Sequence, residues 1–295
     1  MGKKHILILK IQYLKSTLSY TDSTLLILLY FQFFWKALLH KKEIVIIFTE
    51  RSSYMFRTTI IFIVLILSSI FTINAYWIGL NGQTTIEIFN RLPVLIAPAN
   101  YVYLIWFIII AVIFVYLMSY RDNKQLMVFQ TNLQTALFIC NAIVYMIVIF
   151  IWHEGQYMSA VILCGALLLL MFSLYITFPL HPKRIKSRIP IALLFNWQIF
   201  LFVIMVNITL IHYEWSGFGL SLSLWTVIFL SIITCFSLFL IYHYEDRLSP
   251  LVMIWAFIGV AVANGFQSLL VSTASLFLTG VLIVGLYTLK KNREV

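Results

Sequence analysis

The stretch "YWIGLNGQTTIEIFNRLPVLIAPANYVYLIW", residues 76–106, gathers most of the side chains in this chain that could build a site. It mixes turn formers at Asn81-Gly82 with Ile86, Ile88, Leu92, Val94, Leu95 and Ile96, more apolar residues than a solvated loop requires. Such a segment is expected to pack back over its protein as a lid. The alternative is a stretch lying flat on lipid. Pro98 suits the first turn of the helix that follows, where its missing N–H would be unpaired anyway. Asn100 suits the cap of that helix. Tyr103 and Trp106 are three residues apart and share a helix face, while Tyr101 lies on another side. Tyr and Trp at headgroup depth are ordinary membrane anchors, which fits Tyr101 and Tyr103. Trp106 lies roughly a turn and a half into the apolar run and is better placed for a pocket wall.

Polar groups elsewhere are few. Asn141 and Asn196 are amides within or near apolar runs, where burial is costly unless they face the interior. They read either as interhelical hydrogen bonds or as ligand contacts. The sequences "WHE" (152–154), "HYE" (212–214) and "HYED" (243–246) place His beside acid at the ends of apolar runs. His with carboxylate can bind a transition metal, ligate haem iron or relay protons. No HExxH, CxxCH, nucleophile elbow, P-loop or GxGxxG accompanies them, so an enzyme is not expected. There are ten acidic residues, and those from residue 55 onward lie in loops or at run edges. An ion-coupled carrier often uses an intramembrane carboxylate, so this argues against one. Cys140, Cys164 and Cys235 share no CxxC spacing. They read as small buried hydrophobes rather than as disulfide or zinc residues.

The elements that must position these residues are membrane helices. Of 295 residues, 62% are hydrophobic and 10% charged, against about 25% charged in soluble domains. Eight apolar runs read as spans, at roughly 58–77, 101–119, 133–152, 158–178, 190–211, 222–242, 250–264 and 269–289. The seventh is short. Backbone groups in hydrocarbon must be satisfied within the segment, so the runs should be helices. The fold class is all-α: a polytopic membrane bundle of about eight helices in one domain, residues 55–295. With the stretch before residue 58 placed inside, the inner loops carry ten Lys and Arg and the outer loops only Arg91. That asymmetry predicts a multi-pass cell-membrane protein with both ends of the eight-helix unit cytoplasmic. The net charge of +10 is then a topology signal and not a sign of nucleic-acid binding. Residues 1–54 form a basic extension. Its apolar piece "TLLILLYFQFFW" (24–35) is too short to span and is expected to lie at the interface, with Met55 an alternative native start.

The 76–106 stretch resembles the TspO/MBR family, the tryptophan-rich sensory proteins related to the translocator protein or peripheral benzodiazepine receptor. The family signature is a proline-containing loop, then Pro-x-Gly-aromatic-x-Phe, then a tryptophan in the second span. "NGQTTIEIFNRLPVLIAPANYVYLIW" is similar to its longer bacterial branch. The likeness continues in "LFICNAIVYMIVIFIWHE" (137–154), "RIPIALLFNWQIFLFVIMVN" (188–207) and "WSGFGLSLSLWTVIFL" (215–230). Asn100 replaces the usual Gly, Tyr103 a Phe, Ile110 a common Tyr and Val144 a common Trp, so the member is divergent. The resemblance implies a five-helix core with a pocket beneath the loop after the first span. The ligand would be lipophilic or planar and aromatic, such as a tetrapyrrole (haem included) or a sterol-like molecule, with no cofactor required. Pocket candidates by position are Pro98, Tyr103, Trp106, Asn141 and Trp197. The partners implied are membrane lipid and that small ligand, and a homodimer is compatible. A sensory or regulatory role is expected. A small-molecule transporter or permease is the alternative, motivated by the Gly, Ser and Thr of the last three spans.

Overall fold

The computed structural model describes residues 56–119, 131–178 and 188–289. The expectations about residues 1–54 lie outside the described residues. Among the latter there are nine helices. They are α1 (Phe56–Ile78), α2 (Thr85–Asn90), α3 (Ile105–Ser119), α4 (Asn132–His153), α5 (Tyr157–Ile176), α6 (Ile189–His212), α7 (Leu222–Tyr244), α8 (Ser249–Asn264) and α9 (Leu269–Thr288). A 3-10 turn, Asn100–Leu104, leads into α3. Seven helices, counting α3 with that turn, are long and apolar enough to cross a membrane. The eight expected runs are thus all helical, and their ends fall within two residues of the sequence reading. The described residues from 57 onward belong to one compact unit.

Helix starts follow capping chemistry. Thr131 caps α4 in a capping box with Gln134, Ser221 accepts from Leu224 N–H at the start of α7, and prolines stand in the first turns of α6 and α8. Each device deals with amides that have no carbonyl four residues back. Along the spans, hydroxyls are returned to their own helix. Thr226, Thr234, Ser275 and Thr279 each donate to the carbonyl four residues earlier. Most Ser and Thr of the last spans thus satisfy themselves locally; Ser272 of α9 donates instead to Ala261 O and Gly265 O, and Ser237 Oγ of α7 is buried without a partner.

Helix α6 is the axis of the bundle. Two thirds of its most apolar window is buried (67%), against 17% for α1, which presents most of its surface outward. The single buried cysteine is Cys164; Cys140 and Cys235 are exposed, because the 3.6-residue period turns those two positions to the outside of the bundle. This corrects the expectation that all three are buried.

At one end of the bundle, residues 79–99 fold over it. Leu80 and Gln83 pair around a tight turn in which Asn81 and Gly82 take positive φ. A capping box of Thr84 and Glu87 then starts α2. Pro98 and Asn100 differ from expectation. Ala99 is the residue that precedes the turn, with no side-chain cap, so Pro98 stands outside the helix. The Asn100 amide oxygen instead accepts from Asn90 Nδ2 at 2.9 Å, closing the lid on itself. Pro98 is buried against α8: a Cβ added at Gly259 would lie 3.1 Å from Pro98 Cβ and would overlap Val102.

Helix α8 has 16 residues, roughly 24 Å of rise where hydrocarbon is about 30 Å thick. The lid makes up the difference by reaching down to it. Ala99 N–H donates to Gly259 O at 3.0 Å. Asn264 Nδ2 donates to Leu95 O at 2.7 Å and Trp255 Nε1 to Val102 O at 3.1 Å. Tyr101, 37% exposed, packs edge-on against Trp255.

Candidate ligand-binding site

Beneath the lid the aromatic residues converge. The last turn of α1 is a π-helix, Asn74–Ile78. Its extra residue per turn re-aims the end of the helix, and Tyr76 is directed into the bundle. Tyr76 meets Tyr103 at 5.8 Å and Trp106 at 5.9 Å between ring centroids. From α6, Trp197 meets Tyr103 edge-on at 6.1 Å and Trp106 at 6.4 Å. From α4, Tyr145 approaches Trp106 at 5.4 Å, and from the lid Phe89 closes on Tyr103 and Trp152, both at 5.9 Å. These separations and tilted geometries are those in which aromatic quadrupoles attract.

Two small cavities flank this cluster. One, about 10 Å³, lies between Tyr76, Phe89, Tyr145, Trp152, Cys164 and Gln198. The other, about 40 Å³, lies between α1, α3 and α4 and is lined by Ser69, Thr72, Trp106, Ile110, Asn141 and Gln198 among others. The first has space for about one water and the second for a few. No charged residue and no histidine lines either cavity.

The polar atoms of the cluster are the unusual feature. The hydroxyls of Tyr76, Tyr103 and Tyr145, the indole N–H groups of Trp106, Trp152 and Trp197, and Gln198 Oε1 are all buried without a well-aligned protein hydrogen bond, although the Tyr76 hydroxyl lies close to Trp106 Nε1 and to the Tyr145 hydroxyl. A buried polar group left in this way costs about 1–3 kcal/mol, and several together are uncommon in a native core. By contrast Asn141 is fully used: Nδ2 donates to Leu167 O at 3.3 Å and Oδ1 accepts from Gln198 Nε2 at 3.1 Å. It ties α4 to α5 and α6 while also facing the larger cavity. Asn196 turns back to Ala192 O.

Of the residues singled out by position, Tyr103 and Trp106 each meet Trp197, Trp106 and Asn141 line the larger cavity, and Pro98 stands apart, packed against α8. Tyr76, Phe89, Tyr145, Trp152 and Gln198 belong to the same cluster and were not singled out. Gln198 was open to the argument that selected Asn141, an amide inside an apolar run. Tyr145 adjoins Val144, where the resemblance expects an aromatic. Tyr76 and Trp152 stand at the ends of apolar runs, where Tyr and Trp are ordinarily membrane anchors.

The lid is also fastened at the α4–α5 turn. Asn81 Nδ2 donates to Glu154 Oε1 at 2.5 Å. Thr85 Oγ1 donates to Ala75 O at 3.1 Å and lies 3.4 Å from His153 Nε2, whose Nδ1 is 2.8 Å from Ile149 O. Tyr157 packs between Trp152 and His212. Among the described residues, no group of three or more His, Cys, Asp or Glu could hold a metal ion.

The family model described as TSPO-like protein matches residues 55–288. The chain belongs to the TSPO-like family. Neither the curated proteins nor the solved structures contain a match to it. The matched stretch begins at the start of α1 and ends with α9, so the lid, the aromatic cluster and α8 all fall within the family region.

Proposed function

We propose that this TSPO-like membrane protein binds a lipophilic or planar aromatic ligand, tetrapyrrole- or sterol-like, in the chamber under the lid, with a sensory or regulatory role. The observation that carries this reading is the set of unpartnered Tyr, Trp and Gln atoms inside an otherwise apolar aromatic cluster. A flat ligand offers ring faces for stacking and a few acceptors for the waiting O–H and N–H donors. No charged side chain lines the cavities, so ionised groups of a ligand belong at the rim, under the Asn81–Glu154 edge. The cavities are far smaller than such a ligand. Binding therefore requires the lid and the aromatic side chains to move apart, a minor open state that the ligand selects. Binding within the bundle, with most Ser and Thr of the last spans bonded to their own helices, favours sensing over a transport path.

The purified protein titrated with a porphyrin is expected to show saturable quenching of tryptophan fluorescence. Trp106→Ala should weaken the affinity about five- to tenfold, the loss expected on removing one aromatic contact of about 1–1.5 kcal/mol. Unchanged affinity in that variant would remove Trp106 from the site. Absence of saturable binding to a porphyrin and to a sterol alike would end the reading.

A further inference from the structure

Arg188 is a buried charge at the end of the bundle away from the lid, outside the chamber. It directly precedes α6 and is 3% exposed. Its guanidinium lies over the Tyr175 ring, with Cζ 3.9 Å from the centroid, and the Tyr244 centroid is 5.0 Å away. Nη1 donates to Tyr244 O at 3.3 Å. Nε and Nη2 are buried and have no protein partner. Asp246, the buried acid among the described residues, is turned to other donors: Oδ2 accepts from the Tyr175 hydroxyl at 2.8 Å and Oδ1 from Leu248 N–H at 3.1 Å.

The free edge has a definite shape. Nε–H and the adjacent Nη2–H are parallel, and that side of a guanidinium receives two oxygens of one oxyanion. The two tyrosine rings fix its plane, and the Tyr244 carbonyl holds its other side. The carboxylate that could have taken the edge is instead bound to Tyr175. A bare guanidinium edge out of water is costly, so its natural state is occupied.

Position indicates the occupant. Tyr175 is the penultimate residue of α5, Arg188 immediately precedes α6 and Tyr244 ends α7, so the guanidinium lies where spans meet the headgroup region. The sequence just before it is basic, with Lys183, Arg184 and Lys186 and no acid from 179 to 187, while Arg247 follows Glu245 and Asp246 at the end of α7. Basic clusters beside spans attract the phosphates of anionic lipids. We infer that the Nε–Nη2 edge of Arg188, clamped between Tyr175 and Tyr244, holds a phosphoryl oxyanion at the end of the bundle opposite the lid. A phospholipid headgroup and free phosphate share this chemistry.

Thermal unfolding of the full-length protein, delipidated in neutral detergent at constant ionic strength, separates the two sources. The additives are phosphatidylglycerol, phosphatidylcholine and inorganic phosphate. Phosphatidylglycerol should raise the unfolding midpoint saturably. A matching rise with inorganic phosphate shows that the free anion suffices, and a rise with lipid alone assigns the headgroup. Arg188→Gln should weaken the stabilising additive at least tenfold, with a midpoint before addition equal to or above that of the natural protein, since a buried charge is gone. Arg188→Lys, which keeps the charge but not the fork, should weaken it similarly. No saturable rise with either phosphate source overturns the site. So does an undiminished response in either variant, or failure of both variants to fold, which would make Arg188 structural.

Discussion

The indole groups of this bundle meet two different fates. Trp255, partly exposed midway along α8, and Trp225, half-buried in the first turn of α7, give their N–H to backbone carbonyls, Val102 O at 3.1 Å and Gly217 O at 2.8 Å. Trp106, Trp152 and Trp197 are almost wholly buried, and none of their N–H groups has a protein partner. Burial alone would predict the reverse, because an unpaired donor costs more the further it lies from water. The first pair holds pieces of structure together: Trp255 fastens the lid to α8, and Trp225 fastens the turn before α7. The second set surrounds the chamber, alongside three tyrosine hydroxyls in the same condition. The difference teaches that the latch region spends its donors on structure, while the chamber leaves its donors without protein partners, and the proposed ligand binding rests on that contrast.

The comparison is broken most forcefully at Gly259. The latch depends on close backbone approach: Ala99 N–H reaches Gly259 O, and a Cβ at 259 would run into Val102 and crowd Pro98. Gly259→Val should lower stability by about 1–3 kcal/mol, as overpacking of a tight contact does. Thermal unfolding followed by tryptophan fluorescence measures it. Because the lid carries Phe89 over the chamber, porphyrin affinity should change as well. An unchanged midpoint would mean that the lid and α8 are not in the close contact described.

The second test sets the two kinds of donor side by side with minimal changes in shape. Trp255→Phe deletes a paired N–H and leaves Val102 O without its side-chain donor, a loss of about 0.5–1.5 kcal/mol. Tyr103→Phe deletes only an orphan hydroxyl and should leave stability unchanged or raise it by about 1 kcal/mol, while weakening ligand binding. Stability and affinity thus move in opposite senses at Tyr103. Should Tyr103→Phe destabilise the ligand-free protein as much as Trp255→Phe does, its hydroxyl has a partner after all and the contrast fails.

How far these regions could be read in advance follows from their physics. Eight apolar runs became eight helices because hydrocarbon leaves the backbone no alternative, and hydropathy reports that directly. Tyr103 and Trp106 were placed together by a three-residue spacing that holds across the 3-10 turn into α3. Trp197 joined them through the family resemblance. What was illegible depended on contacts remote in sequence. Pro98 faces Gly259 and not the chamber, and no local pattern announces an approach across about 160 residues. Tyr76 enters the cluster through a π-helical turn, whose register differs from the 3.6-residue period used to read faces. Asn100 reads in the sequence as a helix cap, but its side chain is engaged by Asn90 on the lid helix.

The smallest effect is expected at the lid's other fastening, and it sharpens the contrast between a neutral latch and a titratable one. At α8 the lid is held by amide, indole and backbone groups that do not ionise, so that side is indifferent to pH. Helix α2 has only six residues and begins with a reciprocal cap: Thr84 N–H donates to Glu87 Oε2 at 2.7 Å and Glu87 N–H to Thr84 Oγ1 at 3.1 Å. These bonds favour the ionised carboxylate and hold the Glu87 pKa below its ordinary 4.5. A depressed folded-state value means that the cap contributes fully above about 4.5 and fades as pH falls through the lower, folded value. Hydrogen exchange across residues 84–90, corrected for intrinsic rates, should therefore quicken on acidification below pH 4.5, while residues 95–102 beside α8 keep their protection. Glu87→Gln retains a capping side chain without the titration, so its protection should be flat over the same range. Equal acid sensitivity at both fastenings would show that the lid opens as one piece.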